Sequence, residues 1–231
     1  MSDRPFTFAG THVIATMSGA LFWPEVSTLI VADMHLEKGT SRAGAGALLP
    51  PYDSRTTLAV LAAAIRRWQP ERIIALGDSF HDARASERLD AADRRSLAAL
   101  IEGRDWIWIA GNHDPAPPST IGGRIETVLP VGPLVFRHQA GDEATVGEVS
   151  GHYHPKAVVR VGGQRISARC FVTDSRRLIL PAFGAFTGGL SIDDDAIRSR
   201  LGSVCTAYAL GHRRVHVIPV PGPAALRTCR R

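Results

Sequence analysis

The chain has 231 residues, enough for one large domain, and its 45% hydrophobic and 21% charged residues are typical of a globular protein. No apolar run approaches the roughly 20 residues that cross a bilayer, and the first residues lack the basic-then-apolar profile of a signal peptide. We therefore expect no membrane association and a cytoplasmic protein. The net charge is +5, carried almost entirely by arginine. A nucleic-acid partner and a simple compositional bias explain this excess of arginine equally well.

The cysteines are sparse and show no CxxC spacing. They are Cys170, Cys205 and Cys229. An odd set without close pairing fits a reducing compartment, so we expect free thiols.

Apolar runs rich in β-branched residues alternate with helical segments in the first part of the chain. Residues 28–33 read as a buried strand. Helical spacing of apolar residues then predicts a helix from Asp53 to Trp68, capped by Asp53 or Ser54 and ended by Pro70. This alternation is the pattern of a layered α/β domain.

A second helix is predicted from Ala91 to Glu102, because Asp90 is a suitable N-cap and Gly103 follows the end. Further strands are predicted at 72–78, 106–112, 134–138 and 148–152.

The pattern changes from Val158 onward. Residues 158–174 look like a hairpin that turns at Gly162-Gly163, and residues 206–220 look like a second one. Between them lie a strand and a short helix opened by acidic residues. We predict one domain over residues 1–231, with two packed sheets, helices outside and no separate cap domain.

Polar side chains follow five of the apolar runs at the point where each run ends. They are Asp33 and His35, then Asp78 with His81, then Asn112, His113 and Asp114, then His138, and finally His152 and His154. Six of the nine histidines lie here; His12, His212 and His216 read as ordinary surface or packing residues. Because ligands bind at the carboxyl ends of strands in open α/β sheets, we expect these residues to converge.

This donor set is larger than one catalytic zinc ion needs. It suits two metal ions about 3.5–4 Å apart that share a bridging carboxylate. Imidazole and oxygen donors without thiolate favour Mn, Fe or Zn. In the alternative, these polar residues only cap the ends of strands. That explanation would have to apply at each of the five runs, in the order in which they occur.

These residues resemble, in their order, the calcineurin-like metallophosphoesterases. The family pattern is D-x-H, G-D-x-x-[DH], G-N-H-[DE], a lone H, and G-H-x-H, and all five motifs occur between Asp33 and His154. The resemblance implies an α/β fold, a four-layer αββα sandwich of two mixed β-sheets flanked by helices. It also implies a phosphodiesterase that depends on two divalent transition-metal ions, Mn²⁺ first, with Fe or Zn as alternatives.

The resemblance also implies a role for each residue. The first metal would be held by Asp33, His35 and His154, and the second by Asn112, His138 and His152, with Asp78 bridging both. His113 would lie beside the phosphate, oriented by Asp114, and His81 would approach the substrate. His138 departs most from the family pattern, because Gln139 follows it where the family often has glycine.

Other segments resemble a narrower family. "GDSFHD" is similar to the form found in a nuclease branch, and "DMHLEKG", "GHYHP" and "LPAFGAFTGG" resemble bacterial ligase-associated DNA damage response endonucleases. This resemblance implies a DNA endonuclease in repair, functionally associated with a DNA ligase and a helicase. Without a cap domain, single strands or flaps are expected rather than a tightly held duplex. The alternatives are a phosphodiesterase for cyclic nucleotides or other small phosphodiesters, and a non-catalytic scaffold with decayed metal sites.

The sequence leaves the roles of three segments undecided. Glu37 and Lys38 read equally as surface residues or substrate contacts. The glycine-rich run Ala182-Gly189 either borders the site or forms a tight turn. The basic tail at 226–231 reads as a solvated end, with a nucleic-acid contact as the alternative.

Overall fold

The computed structural model describes residues 2–44, 52–116, 121–143 and 145–221. Within these ranges two mixed β-sheets pack face to face, with helices on their outer faces. The predicted α/β class and the two-sheet arrangement are thus confirmed. Cys229 and the tail at 226–231 lie outside the described residues, while Cys170 and Cys205 are buried free thiols as expected.

The first sheet is parallel in its second half. In spatial order its strands are β1 (Arg4–Phe8), β2 (Thr11–Ala15), β3 (Leu21–Trp23), β4 (Thr28–Val31), β5 (Arg72–Leu76), β6 (Asp105–Ile109) and β7 (Arg124–Glu126). Strands β4 to β7 are parallel, whereas β1 to β4 pair antiparallel, with a 3₁₀ turn at Pro24–Val26 before β4. The first three strands were not predicted from the sequence.

The second sheet has three parallel strands at its centre. Its strands in chain order are β8 (Val128–Val131), β9 (Leu134–Arg137), β10 (Glu148–Ser150), β11 (Lys156–Val161), β12 (Gln164–Thr173), β13 (Arg177–Ile179), β14 (Cys205–Leu210) and β15 (Val215–Val220). The spatial order is β15-β14-β12-β13-β10-β9-β8, with β13, β10 and β9 parallel and β11 attached to β12 alone. Both predicted hairpins, β11–β12 and β14–β15, are present.

The helices flank these sheets. They are α1 (Lys38–Gly44), α2 (Asp53–Trp68), α3 (Ala85–Arg88), α4 (Ala91–Ile101) and α5 (Asp195–Arg198). Apolar residues of α2 and α4 cover the outer face of the first sheet, while Ile197 of α5 covers part of the second. Helix α5 has only four residues, so the fourth layer is thin. In the described chain no helix is both long and apolar enough to cross a membrane.

The predicted bounds of α2 are confirmed, but its predicted cap is wrong. Tyr52 occupies the N-cap position and makes no side-chain capping bond. Asp53 instead accepts the N–H of Gly39 at 2.9 Å, and the Ser54 hydroxyl donates to Glu37 at 2.7 Å. Both side chains turn away from their own helix because the loop before α1 lies directly against them. The Asp90 cap of α4 is confirmed, with bonds from the N–H groups of Ala92 and Asp93.

The central strands are apolar on both faces, which explains their continuous hydrophobic runs. On β5, Ile73 packs outward against the helices, while its neighbour Ile74 packs inward against the second sheet. Ile30 of β4 also faces inward, between the sheets. This packing holds the ends of the parallel strands of both sheets in a fixed arrangement.

A buried ion pair links two parallel strands of the second sheet. Glu148 on β10 and Arg177 on β13 are register partners, and both side chains are almost fully buried. Arg177 Nε lies 2.9 Å from Glu148 Oε1. The remaining guanidinium nitrogens donate to the main-chain carbonyls of Gly141, Glu143 and Arg200.

We expect Glu148→Gln to lower the free energy of unfolding by about 3–5 kcal/mol, because it leaves the buried Arg177 charge uncompensated. Urea unfolding followed by tryptophan fluorescence measures this loss. The control is Glu87→Gln, whose ion pair with Arg84 is exposed; it should cost less than about 1 kcal/mol. Equal effects of the two substitutions would contradict the assignment of Glu148 as a buried counter-ion.

Candidate metal centre

The predicted site residues meet where strands of both sheets end. Three of the motifs follow β4, β5 and β6 of the first sheet, and the other two follow β9 and β10 of the second. Since the two sheets pack face to face, their loops approach each other at one edge. Residues that are over a hundred positions apart in the chain are thereby brought together.

A first group of donor atoms consists of Asp33, His35 and His154, and these atoms all lie within 4.8 Å of one another. His154 Nε2 is 3.4 Å from both Asp33 Oδ1 and His35 Nε2. Burial, and then the neighbouring His154, lower the pKa of His35 to about 2. His35 is therefore neutral, the form in which imidazole binds metals.

A second group consists of Asp78, His138 and His152, also within 4.8 Å of one another. The Asn112 Oδ1 atom lies 2.9 Å from both His138 Nε2 and His152 Nδ1. His138 Nδ1 donates to the carbonyl of Leu76 at 2.9 Å. Its Nε2 atom is therefore the ring nitrogen that faces the centre, despite the irregular sequence after His138.

The carboxylate of Asp78 belongs to the second group and also faces the first. Its Oδ1 atom accepts the His113 N–H at 2.9 Å, while Oδ2 lies 3.4 Å from His138 Nε2 and 4.0 Å from His35 Nε2. Burial opposes ionisation, but the hydrogen bond and charge of His138 outweigh it and lower the pKa of Asp78. Gly111 is required here, because a Cβ would collide with the main chain and carboxylate of Asp78.

The donor atoms fit divalent cations. In the second group, Asn112 Oδ1, His138 Nε2 and His152 Nδ1 approach one another to 2.9–3.1 Å. Burial opposes protonation of His138, but the hydrogen bond to Asp78 and the charge of Asp33 outweigh it and raise the pKa of His138 to about 9, so the charged ring carries a proton at Nε2. If a cation displaces that proton, Nδ1 of His138 is still used on Leu76 and Nε2 has only a lone pair. Lone pairs then face lone pairs, an arrangement that only a shared proton or a cation stabilises. Neutral imidazoles, carboxylates and an amide oxygen together suit two borderline transition-metal ions.

Five of the seven predicted ligands have left-handed backbone conformations. They are Asp33, His35, Asp78, His152 and His154, with φ between 45° and 70°. Such conformations cost roughly 1–3 kcal/mol each and persist only where the surroundings enforce them. Main-chain bonds between the loops do so, including His35 N–H to the Asp78 carbonyl at 2.8 Å.

The family model described as calcineurin-like phosphoesterase matches residues 26–172, well over half of the chain. The chain belongs to the calcineurin-like phosphoesterases. It is therefore a metal-dependent phosphoesterase, and the family's dinuclear centre agrees with the two donor groups in this structure.

One solved structure agrees with this family. The crystal structure of the Pseudomonas putida nuclease MPE matches this phosphoesterase with a TM-score of 0.75 and 26% identity, over 95% of this chain and 100% of that chain. A predicted phosphoesterase from Streptococcus pneumoniae matches over 84% and 97% of the two chains, with 14% identity and a TM-score of 0.30, too distant a likeness to support any conclusion. No curated protein matches this phosphoesterase significantly.

The surroundings of His113 differ from the prediction. Its Nδ1 donates to the main-chain carbonyl of His81 at 2.9 Å, and its ring stacks on the His81 ring. The predicted orientation of His113 by Asp114 is therefore wrong. The Asp114 carboxylate accepts the N–H groups of Ser79 and Phe80 at 2.9 and 3.0 Å instead, because it points to the neighbouring strand end. Burial raises the pKa of Asp114 to about 7.

Asp114 thus holds the loop after Asp78, while His113 keeps an accessible ring. The His113 side chain is 43% exposed, and its Nε2 atom lies 4.0 Å from Asp78 Oδ2. It belongs to neither donor group. The roles of these residues as ligands, acid or substrate contacts stay predictions.

The sequence did not show the role of Glu37. Glu37 and Lys38 are both buried, so the interpretation as surface residues is wrong. The Glu37 carboxylate accepts the hydroxyls of Ser54 and Thr40, each at 2.7 Å. Its own N–H donates to Ser54 Oγ at 2.8 Å, and its φ is 66°. Glu37 therefore ties the loop that carries Asp33 and His35 to the start of α2.

The run Ala182-Gly189 borders the centre. The N–H groups of Phe183 and Gly184 donate to the carbonyls of Ala32 and Asp33. The hydroxyl of Thr187 closes a turn by donating to the Gly184 carbonyl at 2.7 Å. Both interpretations of this run hold, because it is a turn that lies against the first motif.

We expect Asp78→Asn to weaken the binding of both metal ions, because one charged oxygen faces both donor groups. The amide can still accept the His113 N–H, so the loop keeps its hydrogen bond. Metal content after reconstitution and gel filtration is the measurement, with the exposed Asp193→Asn as control. Two ions per chain in Asp78→Asn, with near-normal turnover, would contradict a bridging position.

Proposed function

We propose that this phosphoesterase is a phosphodiesterase that cleaves DNA in repair, with two Mn²⁺ ions at the centre. The ligands would be Asp33, His35 and His154 for one ion and Asn112, His138 and His152 for the other, with Asp78 shared. We place it as an endonuclease that acts alongside a DNA ligase and a helicase, as the sequence motifs suggest. We also propose a single domain and a cytoplasmic location.

One observation carries this proposal: Asp78 belongs to one complete donor group and faces the other, and the exposed ring of His113 lies beside it. A phosphoryl group at this position would meet cations from one side and an imidazole from the other. The nuclease title of the Pseudomonas putida structure, which matches across nearly the whole chain, supports a nucleic-acid substrate.

The protein's own residues would fix the geometry of the reaction. When bound, two divalent ions supply Lewis-acid activation of water and neutralise charge on the phosphoryl oxygens. Asp78 is held by the His113 N–H so that its other oxygen stays between the donor groups. His113 uses Nδ1–H on the His81 carbonyl, so Nε2 carries a proton only in the imidazolium form, and that form would donate the Nε2 proton to the departing oxygen and leave a neutral ring.

A small phosphodiester, such as a cyclic nucleotide, is the second candidate. In the described residues the centre is formed by loops at the sheet edge, with His113 and Asn112 exposed, so nothing there requires a long substrate. The third hypothesis, a scaffold with decayed sites, is disfavoured because every donor predicted from the motifs is present.

We expect His113→Ala to keep both metal ions but to lower the cleavage rate of DNA by about 10²–10⁴. The loss should be smaller on bis(p-nitrophenyl) phosphate, because its aryl leaving group needs little protonation. Rates and metal content are measured together, with His12→Ala as control because His12 lies on β2, outside both donor groups. Loss of metal from His113→Ala would make His113 a ligand instead.

A substrate panel tests the nuclease proposal. The Mn²⁺-loaded protein is offered single-stranded DNA, duplex DNA, RNA and a 2′,3′-cyclic nucleotide under the same conditions. We expect cleavage of single-stranded DNA to be the fastest. Efficient turnover of the cyclic nucleotide without cleavage of any polymer would establish the second candidate.

A further inference from the structure

We propose that a single-stranded nucleic acid lies along a surface formed by Phe186 and one face of the β11–β12 hairpin. That face, called here the cationic hairpin face, carries Lys156, Arg160, Arg165 and Arg169. The proposal rests on the proposed phosphodiesterase function and adds where the strand binds outside the metal centre.

The strand register places these four cations on one side of the hairpin. Lys156 pairs with Arg169, and Arg160 pairs with Arg165. Side chains alternate between the faces of a strand, so residues 156, 158 and 160 share a face with 165, 167 and 169. The other face packs on the protein through Ala157 and Ala168. The cationic hairpin face is thus available to a ligand near its tip, where Arg160 and Arg165 are exposed.

The charge on this face is not balanced within the hairpin. Residues 156–169 contain no Asp or Glu. Like charges directly opposite each other on paired strands are destabilising, yet Arg160 and Arg165 occupy such a pair. For these two arginines, the described residues provide no ion pair. The guanidinium group of arginine can donate two parallel hydrogen bonds to phosphate oxygens. A polyanion is therefore the ligand that this face fits.

The cationic hairpin face begins at the metal centre. Strand β11 starts two residues after His154, and Lys156 N–H donates to the Leu190 carbonyl at 2.8 Å. Arg169 donates to the carbonyl of Ala182 at 2.8 Å. Arg169 lies four positions after Arg165, about 13 Å along a strand. A chain whose phosphate lies at the centre can therefore continue along the hairpin.

Phe186 belongs to a run that contacts both the centre and the hairpin, since Ala182 of this run accepts a hydrogen bond from Arg169 on β12. The Gly184 N–H of the same run donates to the Asp33 carbonyl. The Phe186 side chain is large and apolar, yet it is 48% exposed. Surfaces for single strands combine a basic groove with aromatic rings on which bases stack. Because duplex bases are already stacked on each other, an exposed phenyl ring favours an unpaired strand.

The binding test uses the full chain in EDTA, so that no cleavage occurs, and fluorescein-labelled strands followed by anisotropy. For Arg160→Gln/Arg165→Gln we expect the slope of log Kd against log salt to fall by about 1.4, from two lost phosphate contacts. The control Arg66→Gln/Arg95→Gln removes the same charge from exposed positions on α2 and α4. An unchanged slope in the hairpin variant, or an equal change in the control, would overturn the cationic hairpin face as a binding site.

Phe186 is tested with a base-free strand. Phe186→Ala should weaken binding of a normal single strand roughly tenfold and leave an abasic strand of equal length unaffected. Phe186→Trp should keep the affinity, whereas Phe186→Leu should not. Equal losses on both strands, or retention by leucine, would show that the ring does not stack on bases. Deoxyribose and ribose strands of one sequence distinguish DNA from RNA.

The same variants separate this inference from the proposed function. With Mn²⁺ bound, each should hydrolyse bis(p-nitrophenyl) phosphate at the wild-type rate, because this small diester reaches only the centre. If the wild type itself fails on that diester, the proposed function is wrong, while the anisotropy data still decide whether the strand binds. If a hairpin variant alone loses diester turnover, the residues serve the centre and the inference is wrong.

Discussion

The arrangement of the centre depends on the fully buried carboxylate of Asp33, which joins the loops of the two sheets. Asp33 follows β4 of the first sheet, and its oxygens accept the N–H of His152, which follows β10 of the second, at 2.9 and 3.2 Å. Its Oδ1 also faces His154. A buried charge is costly unless it is paired or hydrogen-bonded. The opposite loop supplies the hydrogen bonds of Asp33, and a cation held by Asp33, His35 and His154 would balance its charge in the same place.

The left-handed ligand residues follow from the same constraint. After Val31 the main chain of the first motif runs beside that of the second, with Asp33 N–H on the Gly77 carbonyl and Leu36 N–H on the Ser79 carbonyl. Aspartate and histidine tolerate left-handed conformations better than β-branched residues do. The donor types that the chemistry needs are thus also types that the backbone can accept here. Strain held by neighbouring loops keeps the donor atoms close together before any ligand arrives.

The strands that carry the motifs were predictable because they are buried on both faces and end in polar residues. The bounds of α2 and the Asp90 cap were predictable for a similar reason, since both depend on local sequence. The roles of Asp53, Ser54 and Asp114 were not, because each side chain serves a loop that is distant in sequence. The strands β1 and β2 were missed because their exposed residues interrupt the apolar pattern, and β3 was missed because its buried run has only three residues. Local patterns identify the donors, whereas the second layer of contacts around them exists only after folding.

The segment from Gly151 to Arg169 connects the centre with the surface beside it. It first supplies His152 and His154, then leaves the centre as β11 and returns as β12. Gly151 has no room for a side chain, because a Cβ would press on the Asp33 carboxylate. Two sites built on one continuous segment keep a constant separation, so a strand bound on the hairpin would meet the donor groups at a defined distance.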